Sequence, residues 1–160
     1  MVELPNGSYD SPTAAPYEPS PEQFVRDQVD AFERSDGRDN LDVRYGRPII
    51  VIHTVGVRSG KLRKVPLMRV EANGVYAVVA SLGGAPHHPA WYHNVIAEPS
   101  VIVHDTDGMR AMRAREVHGT EKSVWWDRAV AAFPWYAEYQ SSTEREIPVL
   151  LLEPVDPSDR

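Results

Sequence analysis

Residues 48–81 read PIIVIHTVGVRSGKLRKVPLMRVEANGVYAVVAS, and the fold class turns on them. Ile49 to Val55 is a β-branched run with apolar residues on both faces, the pattern of a strand covered on both sides. Gly56 closes it, and Val57 to Arg63 reads as a turn or short loop. Lys64 to Glu71 alternates as a second strand, and Pro66, which cannot donate to a ladder, places that strand at an edge or a bulge. Asn73-Gly74 is the residue pair that a two-residue hairpin demands, with Val75 to Ser81 as the return strand.

Working outward, Pro89 to about Ala97 reads as a short helix, and Val101–His104 with Met109–His118 flank Asp107-Gly108 as a second hairpin. Thr120 is placed to cap a helix carrying Val124, Trp125, Ala129, Val130 and Phe133, which Pro134 interrupts. Ile147 to Glu153 is a last strand. On the other side, Ser20-Pro21-Glu22-Gln23 has the composition of a capping box. It opens a helix with the apolar stripe Phe24, Val25, Val29 and Phe32, stopped at Ser35-Asp36-Gly37. That helix is expected against a sheet or across the mouth of a barrel. Pro5, Pro12, Pro16 and Pro19 mark residues 1–19 as a flexible, Pro-rich tail, leaving residues 20–160 as a single domain. The order is helix, three strands, helix, two strands, helix, strand. Its hairpins favour antiparallel pairing, and so an α+β domain on a small closed or half-open barrel over a doubly wound parallel sheet.

With 160 residues the chain builds one core. It has no Cys, which excludes disulfides, thiolate nucleophiles and Cys-ligated metal, and makes a cytoplasmic setting the default. No apolar run approaches the roughly 20 residues of a transmembrane helix; a peripheral membrane contact by the N-terminal tail and helix stays open. The net charge of −6 hides an asymmetry. Arg44, Arg47, Arg58, Lys61, Arg63, Lys64 and Arg69 fall in 26 residues without one Asp or Glu, while the rest of the chain carries an excess of −13. Such a segment suits a compact anionic ligand; a solvated basic edge strand is the alternative. Nucleic acid is disfavoured, because the rest of the chain would repel a polyanion.

The motifs exclude much. Gly56-x-x-x-Gly60-Lys61 is one residue short of a nucleotide-hydrolysing phosphate loop, and Leu62 stands where Ser or Thr would hold magnesium. Neither Gly-x-Gly-x-x-Gly nor Gly-x-Ser-x-Gly occurs in a fitting context, which removes dinucleotide dehydrogenases and α/β-hydrolases. His87, His88 and His93 match no familiar metal spacing and read as loop histidines that shape a pocket, or serve no special role. Gly56 to Lys64 remains: small residues that let backbone N–H groups turn toward an anion, with Arg58, Arg63 and Lys61 supplying charge. A tight basic turn between two strands would read the same way.

The ordered series Thr54-Val55-Gly56-Val57-Arg58-Ser59-Gly60-x-x-Arg63, Pro66-Leu67, Val78-Val79-Ala80-Ser81-x-Gly83-Gly84 and His88-Pro89-x-Trp91-Tyr92-x-Asn94 resembles the deazaflavin-dependent nitroreductase family of actinobacteria. The likeness runs from about Pro48 to Pro154. It implies a split β-barrel of the flavin-binding type that binds coenzyme F420, with flavin mononucleotide as the alternative. It further implies hydride transfer to an enone, quinone or nitro compound. By position, Arg58, Ser59, Gly60, Lys61 and Arg63 would hold the coenzyme's phosphate and acidic tail. Val79, Ala80 and Ser81 would lie along its ring, Trp91 and Asn94 would close the groove, and Pro66, Leu67, Met68 and Gly84 complete the cofactor-binding set. Tyr136 is the first candidate to hydrogen-bond or protonate the substrate oxygen, ahead of Ser81 and Tyr139. Relatives usually carry Lys where this chain has Leu82, and often Arg where it has Val57; some have Tyr in place of Met68 and Phe133. The expected partner is a small hydrophobic electrophile, on a monomer or homodimer. A carrier that holds a phosphorylated or lipid-like ligand and does no chemistry is the reading from another class.

Overall fold

The computed structural model describes residues 11–155, and in it β1 (Ile49–Val55) is buried almost end to end. The other elements are α1 (Gln23–Arg34), β2 (Leu62–Met68), β3 (Glu71–Ala72), β4 (Val75–Val79), α2 (Ala90–Ala97), β5 (Ser100–Asp105), β6 (Gly108–Val117), α3 (Gly119–Ala132), α4 (Trp135–Ser141) and β7 (Val149–Pro154). The strands form one sheet in the order β2-β1-β5-β6-β7-β4-β3, with every pair antiparallel.

The two ends of that order are consecutive pieces of one stretch. β2 pairs with β1 up to Ile49 opposite Met68, and the Arg69 N–H still reaches Pro48 O; one residue later Val70 O accepts from Ala77 N–H, on the β4 side. The single strand expected over 64–71 is therefore two half-strands with different partners, and the sheet curls until its ends meet at Arg69-Val70. The result is a split β-barrel within an α+β fold. Period-two alternation could not show the bend, because side chains go on alternating while the hydrogen-bond partner changes. At the β3–β4 turn, Asn73 (φ 55°) and Gly74 (φ 81°) both adopt the left-handed conformation that such a hairpin requires.

Alternation sorts the core. Ile50 and Ile52 of β1 point into the barrel with Tyr76, Val78, Val101, Val103, Met112, Leu150 and Leu152, and α2 plugs one end through Trp91 and Val95. Ile49 and Val51 face outward against Val29 and Phe32 of α1. The outer faces of β4 and β7 carry α3 and α4 on Ala77, Val79, Val149 and Leu151.

Three local expectations are corrected. Ser20 does not cap α1: its Oγ accepts from Glu22 N–H in a turn of its own, and Glu22 takes the N-cap position. Thr120 does not cap α3 either, since the chain turns at Gly119 (φ 59°) and His118 precedes the helix. Of the tail expected over 1–19, residues 1–10 lie outside the described part. Residues 12–14 form a short 3-10 turn, and residues 16–18 run beside the start of β2, with Leu62 N–H donating to Pro16 O and Glu18 N–H donating to Leu62 O.

The closure is held by a polar clamp. Asp105, 1% exposed at the end of β5, accepts Arg69 Nε on both oxygens (3.1 and 3.0 Å) and the hydroxyl of Tyr76 from β4. Asp105→Ala leaves the Arg69 guanidinium and the Tyr76 hydroxyl without their acceptor. We expect a loss of about 2–3 kcal/mol by urea denaturation, below the value for a fully enclosed pair because Arg69 keeps contact with water.

Candidate active site

The edge of β2 that does not pair with β1 borders a groove of about 670 Å³. Five other segments complete its wall: the start of α1 (Phe24, Val25, Gln28), the 42–45 turn, the end of β4 (Val79, Ser81), α2 (Trp91, Asn94) and α4 (Tyr136, Tyr139). Such a volume suits a cofactor-sized ligand. A smaller depression, about 370 Å³, lies beside Arg69 and Arg110, whose charges are committed to Asp105, Glu71 and Asp107.

Of the residues assigned from sequence, Arg63, Pro66, Leu67, Met68, Val79, Ser81, Trp91, Asn94, Tyr136 and Tyr139 line this groove. Arg58, Ser59, Gly60 and Lys61 form the β1–β2 loop outside its wall. That loop is tied to the groove by Asn94, whose side-chain oxygen accepts the Val57 N–H at 2.9 Å. Asn94 therefore acts on the loop. Two assigned positions lie off this wall: alternation turns Ala80 into the barrel interior, and Gly84 packs on α4.

The basic segment looks different in three dimensions. Arg44 pairs with Asp42, Arg63 with Glu18, Lys64 with Glu33, and Arg69 with Asp105, all acids from outside the segment. Arg47 donates to Ala132 O and lies over the Trp135 ring. Arg58 and Lys61 alone among the seven make no ion pair or hydrogen bond through their side chains with any described residue. Gly60 N–H closes the loop onto Gly56 O, and Gly56 N–H onto Lys61 O. The N–H groups of Arg58 and Ser59 are left without partners among the described residues. Two uncommitted cations beside two outward N–H groups are what a phosphate or carboxylate needs.

At the other end the groove is aromatic. Asp42 accepts the N–H groups of Arg44 and Tyr45 and so holds the turn that carries Tyr45 to Tyr139, with the two hydroxyls 3.0 Å apart. Burial and this bond push the Tyr139 phenol up to about 12. Tyr136 is the more deeply buried, with its phenol raised well above the ordinary value by burial first and by Tyr139 second. Its hydroxyl makes no hydrogen bond with a described residue, nor does the Ser81 hydroxyl. Tyr139 is thus engaged, whereas Tyr136 and Ser81 keep a donor for a ligand.

Two contributions escaped the sequence reading. Gln28 Nε2 is buried in the α1 wall without a partner. Gln28 falls four residues after Phe24 and three after Val25, so the signal was a polar residue on the apolar stripe. Arg145 donates to the carbonyls of Ala85, Ala80 and Ser81 and meets His88 Nδ1 at 2.9 Å, stitching the 80–88 loop together from the far side. No spacing links position 145 to 80–88. Within that loop Leu82, Gly83 and Gly84 all have positive φ, a run in which Leu82 (φ 45°) is the strained member.

The family model of F420H(2)-dependent quinone reductases matches residues 24–154. The chain is 29% identical over 133 residues to the F420H(2)-dependent quinone reductase Rv1261c of Mycobacterium tuberculosis, covering 81% of this chain and 89% of that one. A solved F420-H2 dependent reductase, FDR-A, is 56% identical with a TM-score of 0.64, covering 67% of this chain and 95% of its own. A domain-swapped dimer is 50% identical with a TM-score of 0.66, covering 84% and 100%.

A β-carbon at Gly84 would stand 2.3 Å from Ser142 Oγ and 2.9 Å from Tyr139 O, whereas one at Gly83 meets nothing within 4 Å. Both glycines have positive φ, so both alanine variants carry that strain, and only Gly84→Ala also pushes on α4. We expect Gly83→Ala to cost about 1 kcal/mol in chemical denaturation and Gly84→Ala about 2–3 kcal/mol.

Proposed function

The chain belongs to the F420H(2)-dependent quinone reductase family and is an oxidoreductase that uses coenzyme F420, and from that premise we propose that the groove along β2 reduces a quinone-type electrophile. The observation that carries this reading is the groove together with its border: an apolar lining at Leu67, Val79 and Trp91, the unengaged hydroxyls of Tyr136 and Ser81, and, outside the wall, the uncommitted Arg58 and Lys61 on the loop that Asn94 ties to it.

The residues present suit the coenzyme. Its acidic handle would meet Arg58, Lys61 and the N–H groups of the β1–β2 loop. Its ring would lie by Leu67, Val79 and Trp91, and the orphaned Gln28 Nε2 offers a donor to a polar edge. When bound, the reduced coenzyme supplies a hydride. The protein's part is to fix the orientation of two flat molecules and to keep water out. α1, α4 and Trp91 enclose the groove, and Gly84 lets the 80–88 loop close on α4. As negative charge gathers on the substrate oxygen, the Tyr136 hydroxyl is placed to donate a hydrogen bond, with Ser81 as a second donor. The raised phenol pKa keeps Tyr136 protonated, as a donor must be, into the alkaline range where a free phenol would ionise. A homodimer is the assembly we propose, supported by the dimeric relative.

Replacing Arg58 and Lys61 together by Ala should weaken F420 binding about tenfold at low salt, with the gap closing as salt is added. Unchanged affinity would remove the loop from the site. Tyr136→Phe should bind the coenzyme as before and lose about 100-fold in kcat with a quinone such as menadione. Because the folded-state pKa lies above the free value of about 10, the wild-type rate should hold its level through pH 9. A basic limb centred below 10 would assign the proton to another group. Coenzyme bound without reoxidation by any quinone would instead mark a carrier.

A further inference from the structure

We infer that Glu33, His53 and His104 form a binding site for one divalent transition metal of the zinc class. The site lies on the outer face of the barrel, beneath the C-terminal half of α1 and separate from the redox groove. His53 on β1 and His104 on β5 are diagonal neighbours on that face, since His104 stands opposite Val51 and His53 opposite Ile102. Their ring centroids are 6.4 Å apart. Glu33, in the last turn of α1, comes down over them, and one ligand atom from each of the three residues falls within 4.8 Å of the others.

The histidines have no other evident employment. His53 is 3% exposed and His104 6%, yet both nitrogens of His53 and Nδ1 of His104 are buried without a hydrogen-bond partner. Burying a polar nitrogen unpaired costs about 1–3 kcal/mol, so three such atoms on adjacent rings require a reason. Packing alone supplies a poor one, because apolar residues would fill the space under α1 without that cost. A divalent ion satisfies one nitrogen of each ring at once. It also accepts the Glu33 carboxylate, giving the two-imidazole, one-carboxylate donor set that suits zinc and its neighbours.

Asp36 Oδ1 stands 3.9 Å from His104 Nε2, beyond hydrogen-bond reach, on the side of the ring away from its orphaned nitrogen. Lys64 Nζ meets Glu33 Oε2 at 2.6 Å and is half-sandwiched by the Tyr17 ring at 4.5 Å. That ammonium is the competitor: it holds Glu33 in the absence of a metal and must yield or share the carboxylate when the ion binds. Zinc bonds of about 2.0–2.1 Å place ligand atoms roughly 3.4 Å apart, so binding draws the three side chains inward. Loading ties α1 to β1 and β5. The opposite end of that helix supplies Val25 and Gln28 to the groove.

The test uses the full chain without a polyhistidine tag, stripped with chelator and dialysed against Zn2+, with Co2+ as a spectroscopic substitute. The expected result is one equivalent of zinc retained, visible cobalt bands of a low-coordinate nitrogen–oxygen site, and a Tm that rises with zinc. Glu33→Gln, on a partly exposed carboxylate, should weaken binding at least tenfold and abolish the thermal shift. Lys64→Met should tighten it, which a merely structural cluster would not do. His104→Gln should lose the cobalt bands, and should this buried substitution fail to fold, the Glu33 and Lys64 variants still decide. His87→Ala combined with His93→Ala, on the exposed loop histidines, should leave the stoichiometry at one. No retained metal in the wild type, loss of binding in that double variant, or wild-type affinity in both Glu33→Gln and Lys64→Met would overturn the proposal.

Discussion

The architecture depends on one stretch of chain doing two jobs. Leu62–Met68 hydrogen-bonds to β1 and Glu71–Ala72 to β4, with Arg69 and Val70 as the pivot. A sheet whose first and last strands are continuous has to curl, and the buried carboxylate of Asp105 fixes the pivot by gripping Arg69 from one side and Tyr76 from the other. The bend also leaves the remaining edge of β2 without a strand partner beyond Leu62, where residues 16–18 pair with it. An edge strand is usually a hazard to be blunted. Here α1 and the aromatic residues around Tyr136 cover it at a distance and leave a groove in place of a pairing surface.

Electrostatics follow from that geometry. Seven cations in a row without an acid look like one positive surface, but chain folding brings Glu18, Glu33, Asp42 and Asp105 to four of them. What is left is a charge small in extent and sharp in position, at Arg58 and Lys61 on the loop that Asn94 anchors. A compact anion is matched by this arrangement, whereas a long polyanion would meet the excess of acids elsewhere. The same pairing sets Lys64 beside the buried histidines, so a residue that reads in sequence as part of an anion site faces an inner cluster of quite different chemistry.

α1 connects the two regions. Its N-terminal half walls the groove with Phe24, Val25 and Gln28, and its C-terminal half covers His53 and His104 with Phe32 and Glu33. On the far side Arg145 holds the 80–88 loop through three carbonyls, which lets a run of left-handed residues, one of them Leu82, keep a single shape. The wall of the groove is thereby assembled from segments that are distant in sequence.

By itself the sequence determined most of the elements (though not the helix α4), the antiparallel hairpins, the fold class, and most of the residues that border the groove from Arg63 to Asn94. Those signals are local: alternation, Asn73-Gly74, Pro66, and an ordered set of motifs whose spacing survives in one dimension. The resemblance carried by those motifs also pointed to the family that the comparisons established. Only the tertiary structure decided where the strand over 62–72 changes partner, which cations stay uncommitted, that Gly84 serves α4 and Ala80 the barrel interior, and that Gln28, Arg145 and the His53–His104 pair have special surroundings. Each of these is a question of who meets whom across long separations. A side chain's charge balance, hydrogen-bond partner and burial are properties of its neighbours in space, and one-dimensional order does not specify them until the sheet has closed.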